Sequence, residues 1–135
     1  MNQQADSSDR QRTHPDERFA PSAQAFDLES AARELSSESN TGVHGHRQKT
    51  LYRFGNTTLA LFLFDAGARM REHRAAGTVF IQVLQGRLTV QAENERHDLE
   101  AGRVLVMSPN VPHDVFAEEA SQMLLTVSLV GQAQS

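Results

Sequence analysis

The sequence predicts an all-β domain, an antiparallel sandwich or barrel, carried behind a flexible N-terminal tail. Three observations lead there. From Lys49 onward, short runs rich in Val, Leu, Phe and Thr recur at close, even spacing, separated by Gly, Pro, Asn and Asp. No helical segment divides these runs, so the alternating units of a parallel sheet are not expected, and closure into antiparallel layers is. Composition also shifts near residue 48, from a stretch dominated by Ser, Gln, Asp, Glu, Asn and Arg to one rich in apolar residues.

Taken in order, residues 1–47 form the tail. Met1 to Ala20 has too little apolar surface to offset its ordering entropy and is expected to be disordered. A short helix is expected around 24–36, where Phe26, Leu28, Ala31, Ala32 and Leu35 give an uneven apolar stripe. A helix that short is marginal alone and needs a surface to dock on. Ser36 to Gly45 is a linker by composition. The barrel domain is residues 48–131. Its expected strands are Thr50 to Phe54, Thr57 to Phe64, Met70 to Ala75, Val79 to Leu84, Leu88 to Ala92, His97 to Leu99, Val104 to Met107, His113 to Phe116 and Met123 to Val130. Ser108 to Pro112 reads as a rigid loop, because each proline fixes its own φ and biases the residue before it. Thr57 to Phe64 is apolar on both faces. One face should therefore line the interior and the other should meet a second subunit or the N-terminal segment.

Composition excludes several function classes. There is no cysteine, hence no disulfide and no thiolate metal site. The formal charge is −4 with scattered arginines, which is not the basic face of a nucleic-acid binder. No apolar run approaches the roughly 20 residues of a membrane helix, and Met1 to Thr13 has no apolar core resembling a secretory signal. A cytoplasmic location is expected. No phosphate loop and no Gly-x-Ser-x-Gly elbow is present.

Two blocks carry the chemistry. The first runs from Gly67 through His73 and Ala75 to Val79 and Gly86; the second runs from Gly102 through Pro109 and Pro112 to His113. Together they resemble the paired motifs of the cupin superfamily, with the likeness extending over about Thr50 to Val130. The resemblance implies a small double-stranded β-barrel of cupin or jelly-roll type. It also implies an interior metal shell of two histidines, a carboxylate and a final histidine. Here His73 and His113 stand at the first and last of these positions, while Ala75 replaces the second histidine and Val79 the carboxylate. His73, Ala75, Val79 and His113 are accordingly expected to line the pocket.

Two imidazoles without a carboxylate would hold a divalent cation weakly, since the cation's charge is left uncompensated in an apolar cavity. No cofactor is therefore expected beyond a weakly bound Fe, Mn, Ni or Zn on His73 and His113. Strand alternation points Glu72, Arg74 and Asp114 away from the interior, and parity turns Gln82 to the face opposite Val79. Arg69 and Arg71 are candidates for anchoring an anionic ligand at the mouth, set against a plain solvated rim. His44 and His46 read as exposed linker residues, His14 as part of the tail, and His97 as a surface residue.

Three functions compete. The first is a binding or regulatory barrel holding a small organic ligand without a full metal site. The second is a metal-dependent enzyme of dioxygenase or isomerase type using His73 and His113. The third is a structural dimer whose barrel is filled by side chains. A homodimer is expected in each case, because a domain of about 85 residues buries only a modest share of its surface.

Overall fold

The computed structural model describes residues 22–38 and 45–130, so the expected disorder of Met1 to Ala20 lies outside the described residues, as do His14 and His44. The first element is helix α1, Leu28–Ser36. It begins at Asp27, whose extended backbone stops the helix from starting earlier and whose carboxylate accepts from the Ser30 N–H at 3.1 Å. Glu29 in the first turn and Arg33 in the last complement the helix dipole.

Nine strands follow among the described residues: β1 (His46–Phe54), β2 (Thr57–Phe64), β3 (Arg69–His73), β4 (Gly77–Gln85), β5 (Arg87–Ala92), β6 (Glu95–Glu100), β7 (Val104–Met107), β8 (His113–Ala117) and β9 (Ser121–Leu129). They form two antiparallel sheets. One has the order β1-β2-β9-β4-β7 and the other β3-β8-β5-β6. The chain crosses repeatedly between sheets, so β2 and β9 become neighbours although far apart in sequence, with Thr57 opposite Ser128 and Phe64 opposite Ser121.

β1 starts at His46, four residues before the expected Thr50. Its polar run His46 to Lys49 carries little strand signal, and pairing with the apolar β2 decides the matter: His46 lies opposite Phe64. His46 is thus not an exposed linker residue. Its ring packs against Phe62 and Phe64 at centroid distances of 6.0 and 5.7 Å.

Two glycines mark close approaches. A Cβ on Gly77 would sit 2.2 Å from the Ser128 carbonyl oxygen. Gly86 turns β4 into β5 at φ +83, and a Cβ there would sit 2.3 Å from the hydroxyl of Ser121.

The facing sheets enclose one apolar core that includes Phe62, Phe64, Val79, Ile81, Val90, Val115 and Met123. A second cluster forms outside the five-stranded sheet. There Ala31, Ala32 and Leu35 of α1 cover Leu61, flanked by Leu51, Leu63 and Leu84. The N-terminal helix is therefore what the second apolar face of β2 meets. An ion pair of Lys49 with Glu34 at 2.6 Å ties the helix to β1. Among the described residues no helix is long and apolar enough to cross a membrane.

Candidate functional site: a paired-imidazole end of the barrel

The site is built by the start of β8 and the end of β3. Pro109 and Pro112 bracket Asn110, which takes the left-handed region at φ 67 that asparagine tolerates better than most residues. The Asn110 N–H donates to the Ala75 carbonyl at 2.8 Å, and the Glu93 N–H donates to the Pro112 carbonyl at 3.1 Å. These main-chain ties fix the loop that delivers His113. Along β8, His113, Val115 and Ala117 are buried and alternate with less buried residues, so His113 points inward.

His113 lies directly opposite His73 in the β3–β8 ladder. The two rings sit 4.3 Å apart, centroid to centroid, inclined at 58°. Each Nδ1 is bonded to the carbonyl two residues earlier: His73 to Arg71 at 2.8 Å and His113 to Val111 at 3.0 Å. A carbonyl only accepts, so Nδ1 carries the proton and donates. In the neutral ring Nε2 then keeps its lone pair. Burial pushes the His113 imidazole below its ordinary pKa, and the nearby His73 adds to that, while the Val111 hydrogen bond and Asp114 oppose it.

The expected pocket set is only partly interior. His113 is 4% exposed and Val79 is 3% exposed, the latter wedged between Met107 and Val127 on neighbouring strands. Ala75 is half-buried against the core. His73, expected inside, is exposed at the barrel end. β3 stops at His73, so no strand alternation carries on to Ala75; the register slip, between Met70 and His73, lies before both and sets His73 opposite His113. β3 is also the edge of its sheet, with no further strand to cover it.

Arg69 does not reach the pocket mouth. Its guanidinium stacks over Phe116, 5.1 Å from the ring centroid. Phe116 pairs with Thr89, whose hydroxyl, with one proton to donate, lies within hydrogen-bonding distance of both the Glu118 and the Asp98 surface carboxylates, which places this group on the outer face. Arg71 is exposed, and its carbonyl orients His73. Glu72 and Asp114 line an outer concavity with Gln91, Glu93, Asn94 and Pro112, away from the imidazoles as alternation required. Gln82 lies on the outer face of β4, opposite to Val79. His97 sits on β6, 3.4 Å from Glu95. The carbonyls that orient the two rings were not anticipated from the sequence.

No group of three or more His, Asp, Glu or Cys able to hold a metal ion exists among the described residues. The paired imidazoles offer two suitable nitrogens but no anionic ligand. A full three- or four-ligand metal shell does not fit this end of the barrel.

Comparison with known proteins gives a concordant picture. The model of the Cupin domain family matches residues 60–129, just over half of the chain. A conserved protein of unknown function from Streptococcus pyogenes superposes with a TM-score of 0.67 at 25% identity, covering 83% of this chain and 92% of that one. A cupin superfamily protein from Desulfitobacterium hafniense gives 0.66 at 19% identity, covering 82% and 94%. Salicylate 1,2-dioxygenase from Pseudoaminobacter salicylatoxidans gives 0.69 at 19% identity, covering 76% of this chain but 32% of the enzyme. Likeness at that identity concerns the fold. No curated protein matches the sequence.

Proposed function

This chain belongs to the cupin-domain family, and from that premise we propose that it is a small-molecule-binding barrel without a full metal site, receiving its ligand at the His73–His113 pair. The observation that carries this reading is the pair itself. Two imidazoles stand 4.3 Å apart, each with Nδ1 tied to a carbonyl, and Val79 and Ala75 belong to the apolar core of the barrel. Such a site offers two Nε2 acceptors at its rim and an apolar wall behind them. The matching ligand is a small organic molecule with hydroxyl, amide or acid donors at one end and an apolar body.

The test is a titration of metal-free protein with a panel of small alcohols, phenols, amides and carboxylic acids, following the imidazole Cε1–H resonances. Saturable shifts at His73 and His113, lost in His113→Phe, are expected. If no member shifts either ring, the reading fails.

The tautomer of both rings favours a second reading, a metal-dependent enzyme, because Nδ1–H bonded to a carbonyl is how metal-ligating histidines are commonly oriented. Metal-free protein offered Fe(II), Mn(II), Ni(II) and Zn(II) in turn separates the two. Less than one ion per chain is expected. One tightly held ion per chain, abolished by His73→Ala, would put the enzyme first.

A further inference from the structure

β3 and β8 do not keep step. Met70 lies opposite Val115 and His73 opposite His113, three residues along β3 against two along β8. Arg71 and Glu72 together stand against Asp114, outside the paired register, as a bulge. The bulge decides which side chain reaches the site. Met70 packs against the core. Regular alternation from Met70 would send Glu72 inward and His73 outward. The extra residue reverses this. Glu72 joins Gln91, Glu93 and Asp114 around the outer concavity, and His73 meets the buried His113. The bulge also anchors the ring. The carbonyl bonded to His73 Nδ1 is that of Arg71, a bulge residue. Its counterpart for His113 is that of Val111, in the loop before β8. Both anchors are main-chain acceptors that lie outside the paired register.

We propose that this bulge sets the ligand class of the imidazole pair. The proposal rests on the small-molecule-binding reading and narrows it. With Glu72 turned out and both Nδ1 atoms holding the protons, the neutral pair presents two Nε2 lone pairs, no N–H and no charge. An anion would bring its own lone pairs against these two and find no donor between them. A neutral molecule with two O–H or N–H donors on one atom or on adjacent atoms, such as a primary amide, satisfies both rings at once. The site therefore takes neutral double donors and rejects anions. Without the bulge, the side chain facing His113 would be a carboxylate, and the preference would be a different one.

Nitrogen-15 spectra of the ligand-free full chain at pH 8, where an imidazole of ordinary pKa ~6.5 is neutral, read the tautomers before any ligand is added. His73 and His113 are both expected as Nδ1–H. Deletion of Arg71 makes the ladder even and still sets His73 opposite His113, but it leaves Met70, a paired residue, two places before the ring. His73 should then lose its single tautomer, whereas Glu72→Gln should keep it. Benzamide and benzoate, alike in shape and different in donors and charge, probe the ligand class. Unmodified protein should bind benzamide at least ~10-fold more tightly than benzoate, and the deletion should shrink that preference. The proposal is overturned by His73 found as Nε2–H, by a tautomer indifferent to the deletion, or by benzoate bound as tightly as benzamide. The first and last of these need no folded deletion variant. Two Nδ1–H rings with neither probe bound would sink the binding reading and leave the bulge as the lock on the His73 tautomer.

Discussion

His113 is buried, at 4% exposure. Its folded-state pKa is depressed, chiefly by burial. The unfolded chain, with an ordinary imidazole near ~6.5, therefore binds a proton more readily than the folded one just below that value. Stability from this residue is fully present above pH ~6.5 and is lost as pH falls through the folded pKa. Thermal melts from pH 8 to 5 should show this acid loss, reduced in His113→Gln. A melting curve unchanged by that substitution would remove the assignment. At Val79 the constraint is steric as well as electrostatic, since the residue is closed in between Met107 and Val127. Val79→Glu alone is expected to cost at least ~2 kcal/mol, because the carboxylate gains no partner. Ala75→His with Val79→Glu should instead bind a transition metal tightly, and its melting temperature should rise when Zn(II) or Fe(II) is added. Calorimetry on both variants decides the point. A double variant indifferent to metal would show that position 75, beyond the end of β3, cannot turn its side chain inward.

At the scale of elements, α1 is held by few contacts, and each is correspondingly important. Leu35 is 1% exposed beneath it, and a leucine buried to that degree contributes about 1.5–3 kcal/mol. Leu35→Ala is expected to release the helix and cost about 2 kcal/mol in urea unfolding. Asp27→Ala, which removes the cap, should cost about 1 kcal/mol. Equal stability of Leu35→Ala and the unmodified chain would mean that the helix does not protect Leu61. The helix, most of the strands and the both-faced burial of β2 were legible because apolar periodicity and turn residues act locally. The start of β1 was not, because His46 to Lys49 gains its strand character from β2, a tertiary partner that no local pattern reveals. The site divided in the same way. That His73 and His113 belong to one site was implied by the resemblance to the family motifs, whereas the outward Arg69 and the exposure of His73 follow from a one-residue slip and a strand end. Parity arguments cannot see either feature.

The whole molecule is a set of distant pairings. Thr57 meets Ser128 and Phe64 meets Ser121 across the middle of the five-stranded sheet. Closing such loops must precede the contacts that reward closure, so folding should be slow for the chain's size, in milliseconds to seconds. Stopped-flow refolding gives the rate directly, and a microsecond phase carrying the full amplitude would contradict this.

The tie from the Asn110 N–H to the Ala75 carbonyl has a calorimetric consequence. It joins the loop before His113 to the segment after His73 through main chain alone. Folding has thus already removed the relative freedom of the two segments that carry the imidazoles. A ligand that meets the two rings finds little backbone left to order there, and its binding should show a small loss of conformational entropy.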